Sequence, residues 1–199
     1  MILSETNLDL ITDFFMGNTK SFLKKDDDYK NLLLTYATDN NSSSIRELAT
    51  MHFLKYKSYS KKLGADGIDE KTGILKEVKP KTISDGKKVK NSGNFNDMTL
   101  ELLEKKKNYD IICSLFNEYK FVYIVEFPLL SIYEKLKEPI VNAKTGKRVV
   151  CQFSYKDYEP DKLKVHYLNL SLLHKSVSKN HAEMLIDKYD NNKSRLIFE

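Results

Sequence analysis

Apolar positions follow a helical period in the first part of the chain, and strand and helical periods alternate in the rest. Helices are predicted after Ser4, after the acidic run at residues 26–28, and over residues 45–59. Later helices are predicted over residues 98–107, 128–137 and 178–188. The predicted strands cover residues 64–69, 74–82, 109–116, 120–127, 149–155, 163–170 and 195–198. This order predicts helices first, then a mixed sheet with further helices.

The change from helical to strand period falls near Gly64. Residues 64–69 and 74–82 are separated by a short turn that contains Gly73, so they are predicted to form a β-hairpin. Residues 84–97 combine Gly86 and Gly93 with many polar residues, and they are predicted to form a loop.

A chain of 199 residues fits one domain. Within it we expect an N-terminal helical addition (1–43), a core (44–140) and a C-terminal part that completes the domain (141–199). A 41% hydrophobic and 31% charged composition excludes collagen-like and disordered classes. No apolar run approaches the ~18 residues of a membrane span, and no secretory signal is seen, so a cytoplasmic protein without a membrane partner is expected. Cys113 and Cys151 are expected to be buried, reduced thiols.

Positive charge is concentrated in one segment. The net charge of the chain is +5, and residues 55–90 carry 11 basic and 5 acidic residues. Such a cluster is expected of a phosphate-binding surface. A biased base composition of the source genome is the alternative explanation, because only Arg46, Arg148 and Arg195 are arginines.

Two acids and a lysine in the predicted hairpin form a candidate catalytic site. Side chains alternate along a strand, so Glu77 and Lys79 share one face and Lys76 takes the other. The hairpin returns Asp66 beside them. Two carboxylates can hold Mg²⁺, and an ammonium can stabilise the charge that develops during phosphodiester cleavage. Asp69 competes with Asp66 as the ligand, and a solvated, purely structural hairpin is the alternative.

Asp66, Glu77 and Lys79 resemble the motif of the PD-(D/E)xK nuclease superfamily, and Glu47 matches the acid that its preceding helix often supplies. The resemblance covers residues 44–127, with Ala65 in place of the usual Pro. It implies an α/β (α+β) fold with a restriction-endonuclease-like core, in which helices flank a mixed sheet. Asp66 and Glu77 would bind Mg²⁺.

The implied function is a Mg²⁺-dependent endonuclease acting on double-stranded DNA as a homodimer, most like a type II restriction endonuclease. Three alternatives stay open. They are a junction-resolving or repair nuclease, a viral RNA nuclease with His52 as a metal ligand, and a non-catalytic DNA-binding module on the same fold.

The strand and loop after the motif are expected to contact DNA. Lysines would contact phosphates, and asparagines would contact adenine edges. The candidates are Lys81, Lys87, Lys88, Lys90, Asn94 and Asn96. The segment 152–158, which interleaves aromatic and polar residues, is the second candidate, and a plain surface loop is the alternative.

Overall fold

The computed structural model describes residues 5–17, 43–59, 64–84, 86–90, 92–143 and 148–191. In these ranges the helices are α1 (Glu5–Phe15), α2 (Ser44–Phe53), α3 (Leu100–Lys106), α4 (Tyr133–Asn142), α5 (Leu170–Ser176) and α6 (Lys179–Asn191). The strands are β1 (Lys57–Ser58), β2 (Gly67–Ile68), β3 (Leu75–Ile83), β4 (Gly93–Met98), β5 (Asp110–Asn117), β6 (Lys120–Pro128), β7 (Val149–Phe153) and β8 (Lys164–Leu168).

Six of these strands form one sheet in the order β1-β2-β3-β5-β6-β8. The β3–β5 pair is parallel and the other pairs are antiparallel. A parallel pair needs a crossover connection, and here that connection contains β4 and α3. The fold is therefore mixed α/β, with a mixed sheet flanked by helices, as predicted.

The sheet separates two apolar cores. On one face, α1 and α2 pack through Phe14, Phe15 and Met51 against sheet residues such as Ile112. The other face is covered by the β4–β7 pair and by the later helices, in a core that contains Phe95, Phe153, Leu136 and Leu185. Every residue of β5 is buried, as expected of a strand covered on both faces. Through Phe14 and Phe15, α1 contributes to the first core.

The third predicted helix is shorter than expected. The pattern predicted a helix over residues 45–59, but α2 ends at Phe53. Lys55 has a left-handed φ of 58°, and its amide bonds to the carbonyl of His52. This turn sends Tyr56 out of the helix and directs the chain into β1.

The segment predicted as a loop over residues 84–97 contains a strand. β4 pairs antiparallel with β7, so that Asn94 lies opposite Gln152 and Phe95 opposite Cys151. Phe95 and Met98 are its large buried apolar side chains. So few apolar positions do not produce a recognisable strand pattern. The partner that makes β4 a strand lies far along the chain.

Other boundaries also differ from the prediction. Pro128 precedes a 3₁₀ turn at Leu129–Ile132, so α4 begins later than predicted and extends past Pro139. The helix α5 was not predicted; its first residue, Leu170, was assigned to the end of a strand, and residues 171–176 were given no element. The predicted helix after residues 26–28 and the predicted strand 195–198 lie outside the described residues.

Cys113 and Cys151 are free and buried, as predicted. In the ranges described above, no helix has the length and apolarity that a membrane crossing needs.

Candidate active site

A short hairpin leaves part of β3 without a neighbouring strand. β2 pairs only with Leu75 and Lys76, so the outer edge of β3 is uncovered from Glu77 onward among the described residues. Gly67 permits this tight arrangement, because a Cβ at that position would lie 2.2 Å from the carbonyl oxygen of Lys57. A cleft of about 230 Å³ opens at this edge, lined by Glu47, Gly64, Ala65, Asp66, Glu77, Val78, Lys79 and Lys106.

Asp66 is held at this edge by its backbone and its side chain. Its amide donates to the carbonyl of Lys76 at 2.9 Å, and its Oδ2 accepts from the amide of Val78 at 2.7 Å. Burial raises the pKa of Asp66, and the charge of Glu77 raises it further, although the Val78 bond opposes the change. Oδ1 has no hydrogen bond within the described ranges, so it can accept a ligand.

Glu77 lies between two lysines. Its Oε1 is 2.7 Å from Nζ of Lys79, and its Oε2 is 2.5 Å from Nζ of Lys106. Burial opposes ionisation of Glu77, but the two ammonium groups outweigh burial and lower its pKa below the ordinary value. Glu77 is therefore an ionised carboxylate in a nearly closed environment, with its side chain 11% exposed.

Lys79 is packed beneath the β4–β7 pair. A Cβ at Gly93 would lie 3.1 Å from Cβ of Lys79 and 2.6 Å from the ring of Phe153, so glycine allows β4 to approach. The Lys79 ammonium also lies 4.3 Å from the ring centroid of Phe95, a cation–π distance. These contacts direct the lysine toward Glu77.

Glu47 enters the cleft from the first turn of α2. The hydroxyl of Ser43 donates to its Oε1 at 2.5 Å. Its charge contributes to the raised pKa of Asp66, after burial and Glu77. The four predicted catalytic residues Asp66, Glu77, Lys79 and Glu47 thus line one cleft.

Lys106 was missed by the sequence reasoning. It is the last residue of α3, and it donates to Gly64 carbonyl as well as to Glu77. The only local signal is a run of three lysines at residues 105–107, at the end of a predicted helix. Nothing in that run distinguishes the one lysine that points into the cleft.

Two competing candidates lie elsewhere. The carboxylate of Asp69 accepts from the amide of Lys71 and the hydroxyl of Thr72, so it stabilises the hairpin turn. His52 lies 2.7 Å from Asp9 of α1. Neither Asp69 nor His52 lines the cleft.

The predicted DNA-contacting residues do not line the cleft either. Lys81 lies further along β3, where burial lowers its pKa. Lys87, Lys88 and Lys90 are exposed in the segment before β4. This segment and the cleft are connected through β4, whose first residue touches Lys79.

The asparagines lie on the outer face of the β4–β7 pair, which we call the ribbon. Asn96 and Gln152 are exposed and Asn94 is half-buried, and the amide of Asn94 donates to the side-chain oxygen of Asn96 at 2.8 Å. The inner face of the ribbon carries Phe95 and Phe153. The ribbon therefore has an apolar side toward Lys79 and an amide-rich side toward solvent.

The donor set of the cleft fits a hard divalent cation. Asp66 and Glu77 supply carboxylate oxygens. The carbonyl of Val78 faces the same strand edge as its amide, because both groups of a strand residue point in one direction. Within the described ranges no three His, Cys, Asp or Glu side chains are grouped closely enough to hold a metal. Mg²⁺ does not need such a cage, since it is usually held by one or two carboxylates together with water and substrate phosphate.

Comparison of the chain with known protein families and with curated proteins gives no match.

Proposed function

We propose that the chain is a Mg²⁺-dependent endonuclease of the PD-(D/E)xK superfamily, with a restriction-endonuclease-like core, and that it hydrolyses phosphodiester bonds in double-stranded DNA. The observation that supports this most directly is the convergence of Asp66, Glu77 and Lys79 on one cleft. A solvated structural hairpin would not need to bury a carboxylate between two lysines, because desolvating such charges is costly.

Each residue of the cleft has a distinct role in the proposal. Asp66 Oδ1 and Glu77 would hold the metal, together with the Val78 carbonyl. Bound Mg²⁺ lowers the pKa of its water and neutralises negative charge on the reacting phosphate. Lys79, held by Phe95 and Glu77, presents a positive charge to the scissile phosphate and stabilises the transition state. Glu47 adds a carboxylate that strengthens the attraction of the cleft for cations.

Double-stranded DNA is the proposed substrate because of the ribbon and its preceding segment. A B-DNA major groove admits a two-stranded ribbon, and Asn or Gln amides can bond to adenine through its major-groove edge. The outer face of the ribbon carries three such amides, on Asn94, Asn96 and Gln152. Lysines 87, 88 and 90 are exposed next to it and can contact phosphates without sequence preference.

These features favour a sequence-specific enzyme similar to a type II restriction endonuclease. The size of the chain suits a subunit that cuts one strand, so cleavage of both strands of a symmetric site would require a homodimer. We propose that the protein acts as this homodimer and that it is located in the cytoplasm.

Plasmid cleavage tests the proposal. Supercoiled plasmid is incubated with the protein in Mg²⁺, in chelator, and with the Glu77→Gln variant in Mg²⁺. The expected result is nicked and linear DNA in the first reaction alone, and sequencing of the ends then gives the cut position. DNA retardation on a gel without any cleavage would instead favour the non-catalytic DNA-binding module.

A further inference from the structure

Lys106 occupies a position that suits a cation. Its ammonium contacts two oxygens, Glu77 Oε2 at 2.5 Å and the carbonyl of Gly64. A carboxylate and a backbone carbonyl are also the oxygens that hard divalent cations select. The side chain is 15% exposed, so this contact is sheltered from water and weakly screened.

Each carboxylate oxygen of Glu77 already accepts from one ammonium, Oε1 from Lys79 and Oε2 from Lys106, so a metal bound there would share its oxygen with a lysine and meet that lysine's positive charge. Lys79 is two residues away on the same strand and is confined by β4, so it cannot move far from Glu77. Lys106 comes from the end of a different element, on a long flexible stem. The ring centroid of Tyr109 lies 5.2 Å from its ammonium, so a cation–π contact supports the ammonium beside its bonds to oxygen.

We propose that Lys106 is an internal cation that holds the metal ligand Glu77 in the DNA-free protein, and that it moves to a DNA phosphate when DNA and metal bind. The proposal rests on the proposed function. Its consequence is that metal and DNA bind cooperatively. The metal binds weakly until DNA phosphate draws Lys106 away from Glu77, and by linkage DNA binds more tightly when metal is present.

The charges of the cleft support this exchange. Glu47, Asp66 and Glu77 supply three negative charges, and Lys79 and Lys106 supply two positive ones. A divalent ion added beside both lysines would make the cleft positive before any phosphate arrives. The metal and the Lys106 ammonium would repel each other at Glu77. Moving Lys106 onto an incoming phosphate removes this repulsion and gives the phosphate a partner.

Mn²⁺ binding to the DNA-free protein, measured by electron paramagnetic resonance, tests the proposal without relying on catalysis. The proteins compared are the wild type, Lys106→Gln, Lys106→Ala and the control Lys105→Gln, with Glu77→Gln as the site knockout. Lys105 belongs to the same last turn of α3, is 64% exposed and pairs with Glu101 instead of the cleft. Thermal melting establishes which variants are folded.

Both Lys106 variants should bind Mn²⁺ at least about tenfold more tightly than the wild type, which corresponds to about 1.4 kcal/mol, and Lys105→Gln should match the wild type. DNA affinity is measured by fluorescence anisotropy with a pool of random 30-base-pair duplexes. Adding Ca²⁺ should increase the DNA affinity of the wild type more than it increases the DNA affinity of the Lys106 variants.

Equal Mn²⁺ affinity in the wild type, Lys105→Gln and both Lys106 variants, with binding lost in Glu77→Gln, would overturn the proposal and leave the metal site intact. Failure of every protein to bind Mn²⁺, with or without duplex, would overturn the metal site and the proposed function together with it.

Discussion

The carboxylate of Asp66 accepts a hydrogen bond from the amide of Val78 at 2.7 Å, across a separation of 12 residues. Val78 lies between Glu77 and Lys79 in the chain, so this bond holds the first acid of the motif beside the other two residues. It also satisfies an amide of β3 at the point where the strand has no neighbour. The same bond therefore supports the fold and orients the carboxylate that we propose as a metal ligand.

Asp66→Asn should lose far more cleavage activity than Asp69→Asn. An asparagine side chain in place of Asp66 could not supply a negative charge to the cation, whereas Asp69 only accepts bonds within the hairpin turn. Plasmid cleavage at matched protein and Mg²⁺ concentrations measures the difference. Greater loss in Asp69→Asn would move the metal ligand to the turn.

Glu77→Gln and Lys79→Met should each reduce the single-turnover cleavage rate by about 1,000-fold or more, since each tenfold loss corresponds to ~1.4 kcal/mol of barrier. Both changes remove a charge from the proposed catalytic centre. Lys57→Met is the control, because Lys57 pairs with Glu70 at the surface. Full activity in either cleft variant would contradict the assignment.

Gln152→Ala should weaken binding to the preferred DNA site by about 1–3 kcal/mol and relax the preference at one position, if its amide reads a base. Its cross-strand neighbour Asn94 should behave similarly. By contrast, Lys88→Ala should weaken binding to all sequences alike and reduce the slope of log affinity against log salt concentration by about one. Titrations in Ca²⁺ with preferred and scrambled duplexes, at several salt concentrations, distinguish the two classes. Unchanged preference in both amide variants would exclude the ribbon as the reading element.

A buried ion cluster on the opposite face of β3 should make a large contribution to stability. Nζ of Lys76 lies 2.6 Å from Asp110 and 2.5 Å from Glu126, and its side chain is 2% exposed. Tyr56 and His166 complete the bonding of Glu126.

Lys76→Met should therefore lower the free energy of unfolding by roughly 3–5 kcal/mol, because it leaves two buried carboxylates without their cation. Urea denaturation measures this change. Adding Asp110→Asn and Glu126→Gln to the same protein removes the uncompensated charges and should restore part of the loss. No restoration would mean that packing, not charge, determines the effect.

Stability should fall in weak acid because of His181. This side chain is 1% exposed in α6, and burial lowers its pKa to about 4. An unfolded histidine has a pKa of about 6.5. The unfolded chain therefore takes up a proton that the folded protein excludes, so stability is complete above about pH 6.5 and declines by up to about 3 kcal/mol as the pH falls to about 4.

Urea denaturation between pH 7 and pH 4.5 tests this expectation. His181→Gln should show a shallower decline than the wild type. The exposed His174 is the matched control, and His174→Gln should keep the wild-type slope. Identical slopes in all three proteins would show that His181 does not control the acid sensitivity.

Local patterns in the sequence were sufficient for the elements that carry the site. The alternation along β3 predicted that Glu77 and Lys79 share a face opposite Lys76, and the contacts of Lys76 with Glu126 and of Glu77 with Lys106 agree with it. The turn near Gly73 predicted the hairpin that returns Asp66 to β3. These features depend on strand geometry over a few residues, and such geometry can be read from residue spacing.

Only the tertiary structure determined how distant segments meet. The approach of Lys106 to Glu77, the pairing of β4 with β7 and the parallel pairing of β3 with β5 join residues that no local period relates. Each arises because apolar surfaces elsewhere in the chain must be buried together, and that packing sets which polar groups become neighbours. The placement of Glu77 and Lys79 on one face of β3 could therefore be predicted from the sequence alone. The contact of Lys106 with Glu77 and the position of the ribbon over Lys79 depend on long-range packing.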